Sequence, residues 1–232
     1  MLTTVKTLTP EVVSKLLDQL RTHTKTRYSE IMASRNYCMG LLMLDAGLRV
    51  GELVHLKVTD LWFASAPVNS LLVRAEIAKR HKERTIPLSD RIKHAINMMN
   101  AHELFTHHLG NLYFAFYTAD PRIHLTTRQV ERIIRAASLK SVGRPIHPHM
   151  LRHTFASRLM KRTNIRVVQE LLGHTSISST QIYCHPDEQD KTLAIRNLLL
   201  EVDSNGNLTN TPSGSNGPLN GVNTTGTNRK VC

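Results

Sequence analysis

Residues 147–159 read HPHMLRHTFASRL and form the stretch around which the rest of the chain can be interpreted. Pro148 lies where a helix would begin, because its fixed φ and missing N–H suit the first helical position. His149 and Arg152 are three residues apart and share one face of that first turn. Because the turn also presents backbone N–H groups and the positive end of the helix dipole, it predicts a phosphate-binding helix start. A capped surface helix with a chance His and Arg is the alternative.

Residues 171–185, LLGHTSISSTQIYCH, supply a second polar cluster. Gly173 is expected to end a helix, His174 follows it directly, and Tyr183 comes nine residues later on a short helix. A tyrosine hydroxyl attacks well only if it loses its proton or if its target is strongly polarised. Taken alone, Tyr183 is as well explained as a core or surface residue. His153, in the preceding stretch, is predicted to be a buried structural histidine.

Residues 44–53, LDAGLRVGEL, place Arg49 in the break between two predicted helices. Glu52 follows three residues later and is close enough in sequence to brace that arginine. The alternative is an ordinary surface Arg–Glu pair.

Residues 78–82, AKRHK, form a basic turn between two predicted strands. Lys79 lies at the start of this turn and Lys82 near its end. A flexible lysine at a hairpin tip can reach into a DNA groove, whereas the alternative is a solvated loop charge.

Composition points to a polyanionic partner. The 232 residues carry a formal net charge of +12 with a pI of about 10.0, and 41% of them are hydrophobic. Residues 203–232 contribute only Asp203, Arg229 and Lys230 to this balance, so the excess positive charge belongs to residues 1–202. Clustered Lys and Arg release counterions from a phosphate backbone, although a merely solubilising charge is the alternative.

The three cysteines, Cys38, Cys184 and Cys232, are far apart and form no CxxC pair, which favours a reducing compartment. The N-terminus lacks the apolar core of a signal peptide, and the longest apolar stretch is too short to cross a membrane. We therefore expect a cytoplasmic protein without a membrane partner.

The overall pattern predicts an α+β fold that is mainly helical, with a small antiparallel three-stranded sheet. Residues 203–232 are mostly Asn, Gly, Thr, Ser and Pro, so we expect one folded domain over 1–202 and a disordered polar tail over 203–232. The predicted helices cover residues 10–22, 29–46, 50–56, 89–101, 126–139, 148–162, 165–172, 178–184 and 187–202, and the predicted strands cover 61–64, 71–77 and 83–88.

Together and in this order, the blocks GLRVGEL, AKRHKERTIPL, HPHMLRHTFA and LLGHTSISSTQIY resemble the catalytic domain of the tyrosine recombinases, also called phage integrases. The blocks span residues 47–183, and flanking helices extend the likeness to about 7–202. The resemblance implies the tyrosine-recombinase catalytic fold and a site-specific recombinase that integrates, excises or inverts a DNA segment. It also implies double-stranded DNA as the partner, a homotetramer on that DNA, and in some cases accessory DNA-bending proteins.

The resemblance assigns a role to each candidate residue. Tyr183 would attack the scissile phosphate and form a 3′-phosphotyrosyl link. Arg49 and Arg152 would clamp the non-bridging oxygens. The remaining roles go to His149 in proton transfer, His174 in hydrogen bonding to the phosphate, and Lys79 in protonating the leaving 5′-oxygen. Because arginines would supply the cationic charge and the covalent link would preserve the phosphodiester energy, no metal, cofactor or ATP is expected.

The sequence departs from the family in two places. Arg80 occupies a slot where relatives often carry glycine, so Lys82 remains an alternative to Lys79 as the acid. The catalytic pattern also starts within the first ten residues, which leads us to expect a catalytic domain without the DNA-clamping domain of many relatives. The chain is similar, in size and in the segments RNYC and IHPHMLRH, to the short recombinases that invert fimbrial promoter segments. A fragment of a longer integrase is the alternative.

Three other functions compete with recombination. A DNA-binding regulator could share the fold without strand exchange, and a type IB topoisomerase-like enzyme could cut and religate without it. A metal hydrolase would need a ligand set, and the best histidine cluster, His102 with His107 and His108, lacks an acidic or cysteine partner at ligand spacing.

Overall fold

The computed structural model describes residues 7–24, 26–78, 81–102, 113–174, 200–202 and 208–210. Contacts between Cα atoms divide the chain into two units, Met1–Cys184 and His185–Cys232. None of the helices in the described part of the chain has the length and apolar character that a membrane span requires.

The first unit is mainly helical, as predicted. Helix α1 begins after Thr9, whose side chain accepts a hydrogen bond from the N–H of Val12, and α6 ends at Gly143 in the left-handed conformation. The sequence analysis missed the short helix α4. The helices are α1 (Pro10–Arg21), α2 (Arg27–Asp45), α3 (Val50–Val54), α4 (Val58–Leu61), α5 (Asp90–Ala101), α6 (Thr127–Val142), α7 (Pro148–Met160) and α8 (Ile165–Leu172).

Helix α2 forms the centre of the core. Its second half is apolar all round, and Leu41, Leu42 and Met43 are completely buried. A helix that is apolar on every side must be covered on every side. Helices α1, α5 and α7 all pack against it. This packing fixes the position of the turn that follows α2, where the polar residues of the candidate site begin.

Among the described residues the strands form separate antiparallel pairs, so the predicted small antiparallel sheet is present as two-stranded pairs and not as one three-stranded sheet. In the first unit, β1 (Trp62–Phe63) pairs with β2 (Ala66–Pro67), and β3 (Ser70–Val73) pairs with β4 (Arg84–Pro87). The tight turn at Ala64 and Ser65, both at positive φ, closes the first pair after two residues. A turn closed by hydrogen bonds from the N–H groups of Ile77 and Ala78 to the carbonyl of Arg74 ends β3 earlier than predicted.

The second unit is described only through two short strands, β5 (Leu200–Val202) and β6 (Leu208–Asn210), which pair in antiparallel fashion. The helix predicted over 187–202 is therefore wrong at its last three residues. The helix predicted over 178–184 and most of the predicted polar tail lie outside the described residues. The division of the chain at residues 202 and 203 stays a prediction.

Candidate active site

Glu52, in the first turn of α3, has a buried carboxylate that accepts hydrogen bonds from two arginines, Arg49 and Arg84. Its Oε1 accepts hydrogen bonds from Nη1 of Arg49 at 2.8 Å and from Nη1 of Arg84 at 2.9 Å. Its Oε2 accepts from Nη2 of Arg84 at 2.7 Å and from the backbone N–H of Arg49 at 2.8 Å. The two bonds from Arg84 form a fork-to-carboxylate pair, which fixes the carboxylate in orientation as well as in charge.

This carboxylate is ionised despite its burial. Burial by itself would raise the pKa of Glu52, but the hydrogen bonds and charges of Arg84 and Arg49 outweigh that effect and hold the pKa below its usual value. The side chain of Glu52 is only 2% exposed. The alternative of a surface Arg–Glu pair is therefore wrong, and the prediction that Glu52 braces Arg49 describes the observed contact.

Arg152 joins the same cluster from the first turn of α7. Its guanidinium donates to the carbonyl oxygen of Gly47 and, at 2.7 Å, to that of Leu172, and it is buried. Its Nη1 also lies 3.9 Å from Oε2 of Glu52. Arg49 and Arg152, which are far apart in sequence, are thus both paired with one carboxylate.

Two left-handed glycines bring the backbone close to these arginines. Gly47 has a φ of +63°, and a Cβ there would overlap the ring of Phe155. Gly173 has a φ of +62°, and a Cβ there would lie 3.1 Å from Cδ of Arg84, whose Nε donates to the carbonyl of Leu171 at 2.9 Å. Only glycine adopts this conformation readily, so these turns let carbonyl oxygens face the guanidinium groups.

His174 contacts Arg152 directly. The distance from Nη2 of Arg152 to Nε2 of His174 is 3.3 Å. Because a guanidinium only donates, Nε2 must accept, and the neutral ring then carries its proton on Nδ1. Burial, followed by the charges of Arg152 and Arg49, lowers the pKa of His174 to about 4. The ring is therefore neutral near pH 7.

The histidines of α7 differ in environment. His149 is exposed on the first turn, whereas His153, predicted to be buried, is half-buried. Their ring centroids are 6.5 Å apart. Burial, then the nearby His149 and Arg152, lowers the pKa of His153.

An open cavity of about 390 Å³ adjoins this cluster. Arg49 and His149 line it together with Thr127 and Glu131 of α6, and so does Ala78, the residue before Lys79. Lys79 and Tyr183 themselves lie outside the described residues. The structure thus brings together four of the six predicted site residues, Arg49, His149, Arg152 and His174, around one carboxylate and one cavity. Such a convergence of guanidinium groups suits an oxyanion.

Arg84 is a site residue that the sequence analysis did not single out. It lies in β4, where buried and exposed residues alternate, and it occupies a buried position together with Ile86. That alternation was the available signal, because a charged residue at an inward position of a strand needs a buried partner.

Metal ligation finds no support in the part of the chain that the structure describes, where no group of three or more His, Cys, Asp or Glu side chains could hold an ion. His107 and His108, the centre of the alternative histidine cluster, lie outside that part.

Comparison with known proteins relates this site to a family. The family model described as "Phage integrase family" matches residues 6–190. A tyrosine recombinase of Pseudothermotoga lettingae is 37% identical over 170 residues, which cover 72% of this chain and 55% of the relative. The chain spans little more than half of that relative.

Solved structures share the fold. The crystal structure of XerA recombinase superposes with a TM-score of 0.63 at 24% identity, covering 83% of this chain and 63% of that one. The XerH site-specific recombinase bound to difH substrate gives a TM-score of 0.57 at 27% identity, covering 82% and 53%. With most of its residues matched by the family model, and with the family's fold, this chain belongs to the phage integrase family.

Proposed function

We propose that this chain is the catalytic part of a site-specific DNA recombinase, which cleaves and rejoins duplex DNA through a 3′-phosphotyrosyl intermediate on Tyr183. One observation carries the proposal. Arg49 and Arg152 come from distant segments and meet at the ionised carboxylate of Glu52, with the neutral ring of His174 against Arg152. This is a preorganised cationic site for a group that develops negative charge.

Each residue has a chemical role in this proposal. The hydroxyl oxygen of Tyr183 attacks phosphorus, the bond to the 5′-oxygen breaks, and a 3′-phosphotyrosyl ester and a 5′-hydroxyl result. Arg49 and Arg152 bind the non-bridging oxygens, where a single preorganised donor contributes roughly 2.7–4 kcal/mol to the transition state. Rejoining is the reverse attack by a 5′-hydroxyl, which needs no ATP because the ester conserves the phosphodiester bond.

Proton transfer completes the reaction. His174 donates a hydrogen bond to a phosphate oxygen, the role that the resemblance to the family gives it, and it lies against Arg152. His149, exposed beside the cavity, assists the proton transfer at Tyr183, and Lys79 protonates the leaving 5′-oxygen. The role of Lys79 follows from the resemblance, and Ala78, which precedes it in the sequence, lines the cavity.

The relatives support the finer assignments. Both the Pseudothermotoga lettingae protein and XerH are recombinases by name, and XerH was solved on its difH substrate. By this likeness we include in the proposal a homotetramer on two DNA duplexes, a cytoplasmic location and, for some sites, accessory DNA-bending proteins. The outcome, whether integration, excision or inversion, follows from the arrangement of the target sites.

The test is a covalent-adduct assay on nicked suicide duplexes that carry inverted repeats from the DNA flanking the gene. We expect a protein–DNA adduct with the unaltered chain and none with Tyr183→Phe, which should still bind the duplex. Tyr28→Phe is the matched control, because Tyr28 is an exposed tyrosine of α2 outside the cluster, and it should form the adduct normally.

Three outcomes would contradict the proposal. Binding without an adduct by the unaltered chain would favour a DNA-binding regulator. Relaxation of supercoiled plasmid without strand exchange would favour a type IB topoisomerase-like activity. An adduct that persists in Tyr183→Phe would show that the nucleophile is another residue.

A further inference from the structure

Arg35 is a buried arginine of α2 that takes no part in the site described above. It is only 5% exposed. Its Nη1 donates to the carbonyl oxygen of Tyr117 at 2.6 Å, while Nε and Nη2 donate to Oδ1 of Asn36 at 3.3 and 3.1 Å. Both acceptors are neutral, and these bonds use three of the five N–H groups of the guanidinium.

No carboxylate oxygen of the described residues lies within 4.0 Å of a guanidinium nitrogen of Arg35. Burial lowers the pKa of Arg35, yet a guanidinium stays protonated in proteins. Taking such a cation out of water without an opposite charge is unfavourable by several kcal/mol in general. An anion that binds from solution would supply the opposite charge that this buried arginine lacks among the described residues.

A second cavity, of about 380 Å³, gives an anion access to Arg35. Its polar wall comprises Arg35, Gln129, Arg132 and Thr118, and Arg132 and Thr118 are exposed to solvent. Two arginines therefore line the cavity, and no acidic residue among the described residues does. Two like charges beside one cavity repel each other unless an anion lies between them.

Helix α6 separates this cavity from the first one. Thr127 and Glu131, four residues apart, face the cavity of Arg49, whereas positions 129, 132, 133 and 136 line the cavity of Arg35. These spacings place the two cavities on opposite flanks of one helix. A helix with its side chains is about 10–12 Å across, close to the roughly 12 Å width of the DNA major groove. One duplex can therefore present phosphates to both flanks.

We propose that Arg35 and Arg132 form a second anion subsite, which holds one backbone phosphate of duplex DNA on the flank of α6 away from Arg49. The inference rests on the proposed function, because it takes DNA as the source of the phosphate. The exposed Arg132 binds the phosphate from the solvent side, and the buried, hydrogen-bonded Arg35 binds it from the side of the protein interior. Gln129 and Thr118 supply uncharged donors.

The first test is the salt dependence of duplex binding by the full chain, measured by fluorescence anisotropy on a 30-base-pair duplex (length on the order of three helical turns). The loss of one phosphate contact reduces the slope of log K against log salt by about 0.9. We expect this reduction for Arg132→Gln. Arg122→Gln is the matched control, because the exposed Arg122 is already paired with Asp120, and its slope should equal that of the unaltered chain.

The second test asks whether Arg35 and Arg132 hold the same phosphate. We expect Arg35→Gln alone to lower the slope by about 0.9, and the double variant to lower it by about the same amount rather than twice as much. Arg35→Lys, which keeps the charge, should keep the slope but bind several-fold more weakly. If Arg35→Gln does not fold, Arg132→Gln and Arg35→Lys still decide the matter.

The contrary outcomes are distinct. A slope unchanged in Arg132→Gln would overturn the subsite while leaving the adduct assay untouched. A loss of about 1.8 in the double variant would mean two separate phosphates and would overturn a shared site. If inorganic phosphate raises the melting temperature of the unaltered chain but not of Arg132→Gln, with equal DNA slopes, the site takes a free oxyanion instead. If the unaltered chain bound no duplex at all, this result would contradict the proposed function as well.

Discussion

Arg84 and Arg35 are both buried arginines, but their surroundings differ in one respect. Arg84 forms a forked ion pair with Glu52, and its Nε donates to a carbonyl. Among the described residues, Arg35 has only the oxygens of Tyr117 and Asn36 as its hydrogen-bond acceptors. Arg84 thereby fixes the carboxylate that also contacts Arg49 and Arg152. An arginine whose charge is left without an acid is suited to bind an anion from outside.

Removing the carboxylate should have the largest effect. Glu52→Gln leaves the guanidinium groups of Arg84 and Arg152 buried without an opposite charge, and we expect the free energy of unfolding to fall by ~3–5 kcal/mol. Urea unfolding followed by circular dichroism measures this. Glu131→Gln, an exposed carboxylate on α6, should change it by less than about 0.5 kcal/mol. Equal losses in the two variants would show that Glu52 does not organise the cluster.

Crowding Arg84 should have the next largest effect. Gly173→Ala and Gly143→Ala both place a side chain at positive φ, which is unfavourable by about 1–2 kcal/mol. Only Gly173→Ala also brings a Cβ to 3.1 Å from Cδ of Arg84, whose hydrogen bonds prevent an easy shift, so a further ~1–3 kcal/mol is expected there. Thermal unfolding of both variants measures the difference, and no difference would mean that Arg84 is loosely held.

Neutralising each arginine compares the two environments directly. Arg84→Met removes a partner from the buried Glu52 and should lower the free energy of unfolding by about 1–3 kcal/mol. Arg35→Met removes hydrogen bonds to neutral acceptors and should lower it by about 1 kcal/mol or less. Urea midpoints of the two variants decide the order. A larger loss for Arg35→Met would mean that Arg35 is chiefly a structural clamp between α2 and residue 117.

The smallest effect concerns pH. The folded pKa of His174, about 4, is below its ordinary value of 6.5, so between these values the unfolded chain binds a proton that the folded chain does not. Stability from this residue is therefore present above about pH 6.5 and is lost as pH falls toward 4. His174→Gln should flatten the dependence of the urea midpoint on pH in that window, whereas the exposed control His94→Gln should not. Parallel curves for all three proteins would contradict the lowered pKa of His174 in the folded chain.

The sequence predicted the structure best at positions where a residue type has one strong local conformational preference. Thr9 and Pro10 marked the start of α1, and Gly173 marked the end of α8, because capping and positive φ are local properties. The spacing of His149 and Arg152 likewise predicted the polar first turn of α7. These features depend on neighbours within a few residues, so the sequence displays them directly.

The features that the sequence analysis missed depend on partners far along the chain. Arg84 and Glu52 are 32 positions apart, and neither segment contains a pattern that predicts its contact with the other. The predicted three strands do not join in one sheet because Trp62–Phe63 pair with Ala66–Pro67 across the tight turn at Ala64 and Ser65, while β3 pairs with β4. The burial of Arg35 could not be predicted for the same reason, because it depends on residues near position 117, which are far along the chain.

The hydrogen bonds of Arg152 to Gly47 and to Leu172 span separations of 105 and 20 residues, and the Nε bond of Arg84 to Leu171 spans 87. A polypeptide synthesised only as far as α7 has the carbonyl group of Gly47 but lacks those of Leu171 and Leu172, to which Arg84 and Arg152 donate. Domains fold as units once their last contacts are available. The two guanidinium groups therefore take their final orientation only when α8 has been made and has packed beside them.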